Sequence, residues 1–198
     1  MTAAEFITRH PVLYHRTPVV NAAGIARHGL LSVSALLKLY DVSAKMAVAI
    51  ELHRAKVGIV VPPPTEHPDW PPILIGDQHQ INPPQMAAAL DGVTPEDWRA
   101  ELNARVFFWP TLERLAVHQK TYAARPSILF EIDTAKLLAH HGDRLRVARI
   151  NTGFFRRKPA KRGRDTYQRL EDFKHDAKNR IAEVSVLDGV PDLAACLR

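Results

Sequence analysis

The run from apolar into polar residues over Val12-Leu13-Tyr14-His15-Arg16-Thr17 reads as a strand, with Leu13 and His15 on one face and Tyr14 and Arg16 on the other. A short helix over residues 3–9 stops before Pro11, because the residue ahead of a proline is pushed out of the helical region. Pro18, suited to a first helical position, predicts a helix with Ile25 on its buried stripe and Gly29 as its left-handed C-cap. Ser32 or Ser34 caps the next helix, whose stripe is Leu36, Leu37 and Tyr40, and Ser43 opens a third run to about Lys56.

The middle of the chain is irregular. Val57–Val61 and Ile73–Ile75 are short strand candidates set off by Pro62-Pro63-Pro64 and Pro71-Pro72. Asn82-Pro83-Pro84 leads into a helix ending near Gly92. Thr94-Pro95-Glu96-Asp97 carries an N-cap, a proline at N1 and first-turn acids. Arg105–Trp109 reads as a buried strand with a helix from Pro110. Ser127–Asp133 predicts a strand, 134–141 a helix, Arg144–Ile150 a strand and Gly153–Asp165 a basic loop. Ile181–Val186 alternates as a last strand before Pro191 and a helical turn. Helices come early and strands late, without βαβ alternation, so the expectation is one α+β domain over residues 1–198 with two small packed β-sheets and flanking helices.

Composition narrows the function classes. The chain has 198 residues, 46% of them apolar, which is enough for a core. No apolar run has membrane-spanning length, the N-terminus lacks the regions of a secretory signal, and Cys196 is the only cysteine. A cytoplasmic protein with no membrane partner and no internal disulfide is expected. The net charge of +6 is concentrated: residues 156–180 hold ten Lys/Arg against four Asp/Glu. The segment 156–164 is a candidate surface for DNA or RNA, and equally reads as a solvated basic loop.

Metal chemistry finds no support in the spacing. There is no HExxH and no CxxC, and His140-His141 reads as a helix end, so no metal is expected. GxGxxG, P-loop and nucleophile-elbow patterns are absent as well.

Three segments stand out together: Tyr14-His15-Arg16-Thr17 followed by Ile25-Ala26-Arg27-His28-Gly29-Leu30, then Val106-Phe107-Phe108-Trp109, then Ala182-Glu183-Val184-Ser185-Val186 with Gly189-Val190-Pro191. In that order they resemble the ADP-ribosyltransferase superfamily, in the branch that opens with a histidine strand: poly(ADP-ribose) polymerases, tRNA 2′-phosphotransferases and DarT-type toxins. The chain is also similar, over nearly its whole length, to an uncharacterised bacterial family in which the runs from Arg27, Arg105 and Arg162 recur.

The resemblance implies an enzyme that takes NAD as substrate, releases nicotinamide and transfers ADP-ribose to a macromolecule. His15 then contacts the adenosine ribose, the backbone of Arg16 holds the nicotinamide carboxamide, and Thr17 adds a hydroxyl bond. Glu183 is the catalytic carboxylate, a group suited to stabilising an oxocarbenium-like centre and orienting the nucleophile. Phe107, Phe108 or Tyr40 supplies a ring to stack on nicotinamide. Arg105 is a second catalytic candidate that pairs with the diphosphate. Gln78 belongs to a loop over the substrate.

Two departures stand against the family pattern: Arg16 where many relatives have glycine, and Phe107-Phe108 where a tyrosine is usual. They motivate an alternative, a catalytically silent domain of the same fold that binds nucleotide or nucleic acid. A third reading, 2′-phosphate removal from RNA, requires further basic residues. Each candidate also has a plain reading: His15 as a half-buried core histidine, Glu183 as a solvent-facing strand carboxylate, and Arg105 as a helix-end charge.

Overall fold

The computed structural model describes all residues except 54–57, 77–82, 122–125, 156–157 and 178–179, and no side-chain detail for residue 53 or residues 117–121. Helix α1 (Ala3–Arg9) begins with a capping box, in which Thr2 and Glu5 satisfy each other's backbone N–H groups. Strand β1 (Val12–Pro18) follows, then a 3-10 turn at Val19–Asn21 and helix α2 (Ala22–His28). Pro18 thus closes a strand instead of opening a helix. It pairs in register with Ser127, and the chain turns only after it.

Next come β2 (Leu30–Leu31), α3 (Val33–Leu39), α4 (Ala44–His53), β3 (Ile59–Val61) and β4 (Ile73–Ile75). Ser32 caps α3 by accepting from the backbone N–H of Ala35 at 3.2 Å. Helices α5 (Pro83–Ala89) and α6 (Pro95–Asn103) lead to β5 (Arg105–Phe108), α7 (Leu112–Thr121), β6 (Ser127–Asp133), α8 (Thr134–His141) and β7 (Leu145–Ala148). Thr94 caps α6 and Asp133 caps α8. The chain closes with β8 (Glu183–Leu187), β9 (Gly189–Val190) and α9 (Leu193–Cys196).

Among the described residues the strands form four small antiparallel sheets: β1–β6, β2–β9, β3–β4 and β5–β8–β7. The α+β class is as expected, but the strands divide further than into two sheets. The first and last of these sheets are joined. Tyr14 and Trp109 exchange both backbone hydrogen bonds, at 3.0 and 2.8 Å, so β1 continues the series on the far side of β5. The resulting order is β6–β1–β5–β8–β7.

One face of that series carries the main core: Leu13, Val106, Phe108, Leu145, Val147, Val184 and Val186, with Phe6 and Ile132. A second cluster gathers Leu37, Tyr40, Ile50, Val61 and Ile73, and a third Met86, Trp98, Leu102 and Phe155. Beside the main core, β2 and β9 cross very closely. Gly29 (φ +76°) and Gly189 (φ +110°) sit there, and a Cβ on either would overlap the carbonyl of Pro191 or of Leu30. Among the described residues no helix is long and apolar enough to cross a membrane.

Candidate functional site

The three strands of the resemblance lie side by side. In the β5–β8 register Phe107 faces Ser185 and Phe108 faces Val184. Continued by one residue, it sets Trp109 opposite Glu183. Side chains alternate along a strand, so Glu183, Ser185, Phe107 and Arg105 share one face while Phe108 and Val184 share the core face. The Tyr14–Trp109 pair carries this alternation into β1 and puts His15 on the Phe108 side. The ring contact agrees: His15 meets Phe108 edge-on at 5.8 Å.

Glu183 is buried, 5% exposed, and not the solvent-facing carboxylate of the plain reading. Its Oε2 accepts from the backbone N–H of Thr152 at 3.1 Å and from the Thr152 hydroxyl at 2.5 Å. That hydroxyl accepts in turn from Tyr167 at 3.0 Å. Burial pushes the Glu183 carboxyl up to about 7, against the opposing pull of the Thr152 bonds and the Arg162 and Arg114 charges. Burial likewise raises the Tyr167 phenol, and the neighbouring Glu183 adds to it.

Arg162 is the anchor of the surrounding loop. Only 3% exposed, it donates from Nε to the Thr152 carbonyl at 3.1 Å and from Nη1 to Ala160 at 2.5 Å. Its Nη2 bonds the carbonyls of Asn151, at 3.1 Å, and Phe154. The guanidinium lies 4.1 Å over the Phe155 ring. A planar fork with five donors can collect several carbonyls at once, which a lysine cannot do. Arg162 therefore turns inward, away from the basic surface expected of 156–164. Of that segment Lys158, Lys161 and Arg164 are exposed, while residues 156 and 157 lie outside the described residues. Lys161 donates to the Ala88 carbonyl at 3.0 Å.

Arg105 is held on the Glu183 face. It forms a two-pronged pair with Glu101 Oε2 (3.2 and 2.8 Å), and its guanidinium lies 4.2 Å over the Tyr167 ring, which stacks on Trp98. Its Nη1 is buried with no hydrogen-bond partner among the described residues. Phe107 packs beside the third cluster, near Trp98 and Tyr167.

The remaining candidates lie elsewhere. The Nδ1 of His15 bonds the Phe107 carbonyl at 2.8 Å, so the neutral imidazole carries its proton on Nδ1 and presents Nε2 as an acceptor. Arg16 alternates to the Tyr14 face and stands opposite Leu129. Thr17 is buried and accepts a long bond from Asn21 at 3.4 Å, and Asn21 also ties this turn to Leu74. Tyr40 belongs to the second cluster. Its hydroxyl donates to the Pro71 carbonyl at 2.8 Å and its ring lies against Trp70 and His28. Gln78 lies outside the described residues.

The fold thus gathers Glu183, Arg105 and Phe107 on one face, and His15 with Phe108 on the other. Thr152, Arg162 and Tyr167, which complete the Glu183 setting, carry almost no signal in the sequence. Only the run Arg162-Gly163-Arg164-Asp165-Thr166, part of the resemblance, lies near them.

A family model described as a family of unknown function (DUF7002) matches residues 11–197. No curated protein and no solved structure matches the chain.

Proposed function

The chain belongs to that DUF7002 family, and from this premise we propose that it is an NAD-dependent ADP-ribosyltransferase that releases nicotinamide and passes ADP-ribose to a macromolecule. The observation that carries the reading is adjacency: the histidine, Phe-Phe and glutamate strands, distant in sequence, are neighbours in one series. Two further features support it. The Phe107 carbonyl holds His15 in the tautomer whose Nε2 accepts a ribose hydroxyl. A carboxyl with a pKa of about 7 is partly ionised at neutral pH, so it can stabilise positive charge at the ribose carbon and take the nucleophile's proton. In this reading Thr152 releases Glu183 when substrate enters, and Lys158, Lys161 and Arg164 favour a nucleic-acid acceptor.

A second reading, a catalytically silent domain of the same fold, has its own support. Glu183 is sealed under Thr152, and the strand alternation sets it across the sheet from His15. Nicotinamide release from NAD, measured with and without DNA or RNA, separates the two. Release that disappears in Glu183→Gln is the expected result, and the polymer that stimulates it identifies the acceptor. NAD or nucleic acid bound without release carries the silent reading, and absence of release and of any binding to NAD, DNA or RNA rejects both.

A further inference from the structure

Where α8 meets α9, His140, His141, Asp192 and Cys196 each offer one ligand atom, and these atoms all lie within 4.8 Å of one another. Two come from consecutive positions ending α8. The others are the residue before α9 and its last residue, four apart and so on one helical face. Asp192 already stands 2.6 Å from Nδ1 of His140 and 2.5 Å from Nε2 of His141. Cys196 is wholly buried, whereas the His140 side chain is 42% exposed and leaves an ion a way in.

The donor set selects the ion. Thiolate sulfur, imidazole nitrogen and carboxylate oxygen together suit zinc, whereas calcium and magnesium call for oxygen shells. Tetrahedral zinc bonds of about 2.0–2.3 Å put ligand atoms roughly 3.3–3.8 Å apart. The close nitrogen–oxygen pairs therefore open, and the widest separation closes, by about 1 Å, within reach of side-chain rotation.

We propose that these four residues bind zinc and that the ion clasps α9 to α8. Four protein ligands without an open position are the mark of a structural site. The helix it secures has four residues, too few to be stable by itself. Without metal, Arg144 donates to Nδ1 of His141 at 2.6 Å, which keeps the imidazole proton on Nε2, facing Asp192. When zinc takes Nε2, that proton moves to Nδ1, and Arg144 withdraws toward the Leu187 carbonyl that its other Nη already bonds at 2.9 Å. The His140 proton moves likewise from Nδ1 to Nε2. The Cys196 thiol proton leaves to solvent, so one proton is released per ion bound. The site stands apart from the β5–β8 face and does not depend on the proposed reaction.

The test uses the 198-residue chain, stripped with chelator and reloaded with zinc. One equivalent is retained, and cobalt(II) in its place gives a near-ultraviolet thiolate charge-transfer band that Cys196→Ser abolishes. His140→Ala, at a solvent-facing position where folding is not at stake, weakens zinc binding at least about tenfold. His67→Ala, outside the cluster, leaves it unchanged. Zinc raises the unfolding temperature of wild type and not that of His140→Ala. A wild type that retains no zinc, or zinc held equally well by His140→Ala, overturns the proposal.

Discussion

Thr152 grips one carboxylate oxygen of Glu183 from two sides, with its backbone N–H at 3.1 Å and its hydroxyl at 2.5 Å. Both bonds favour the charged carboxylate and oppose the burial that raises its pKa. The same hydroxyl is the acceptor for Tyr167, so one small side chain serves a buried carboxyl and a half-buried phenol.

Replacing Thr152 by Val keeps the shape and removes the hydroxyl. Glu183 then titrates above its present value of about 7, because one of the groups lowering its pKa is gone. The Tyr167 hydroxyl loses its acceptor, and the fold loses about 1–3 kcal/mol. Carbon-detected NMR titration of the Glu183 carboxyl and urea unfolding read the two effects. A Glu183 pKa that stays put or falls rejects this account.

The raised carboxyl also makes stability depend on pH. Burial moves Glu183 from its ordinary 4.5 to about 7, so across that window the native chain holds a proton that the unfolded chain has lost. The contribution of Glu183 therefore worsens as pH climbs through the window, by about 3 kcal/mol in all, and levels off above it. Glu183→Gln lacks this slope. Urea midpoints of the two proteins converge in acid and separate toward about pH 8, with the variant the more stable. Parallel pH profiles contradict the assignment.

Arg162 satisfies carbonyls of Asn151, Thr152, Phe154 and Ala160 from inside the loop. Arg162→Met strands these acceptors and costs on the order of 3–5 kcal/mol. Arg162→Lys recovers only a fraction, since a single ammonium cannot span the set. Chemical denaturation of both variants is the measurement, and a loss below about 1 kcal/mol for Met refutes the anchoring role.

Glycines with positive φ differ in what surrounds them. At Gly29 a methyl group meets the Pro191 backbone, whereas at Gly92 (φ +67°) nothing lies within 4 Å. Gly92→Ala costs only its conformational penalty of about 1 kcal/mol, while Gly29→Ala adds a backbone collision and costs about 3 kcal/mol or more. Thermal unfolding of the pair decides it, with equal losses as the contrary result.

Much of the element order was legible because the local signals were strong. Ser32 and Thr94 cap the helices that follow them. In β8 the alternation of apolar and polar residues does not carry over into burial, since Glu183 and Ser185 are buried along with Val184 and Val186. Pro18 misled because its fixed φ suits a strand end as well as a helix start. Glu183 and Arg105 could be singled out from the sequence, but their setting could not. Thr152 reaches Glu183 across 31 residues, and Arg162 points inward from a run whose composition reads as surface. The cluster at His140 joins residues about 50 apart, so no spacing rule announces it. Tyr40 follows helical periodicity correctly into a core, but into a different core from that of Phe108.

The pairing of β5 with β1 on one side and β8 on the other also sets the order of assembly. His15 and the Phe107 carbonyl that orients it are 92 residues apart, and β8 emerges from the ribosome long after both. Contacts this distant slow folding, because loop closure is costly before any contact repays it. While the nascent chain is still short of β8, β5 has an open edge and Glu183 is not yet made. The Glu183 site therefore cannot exist during most of translation, and truncated products that end before β8 lack it altogether.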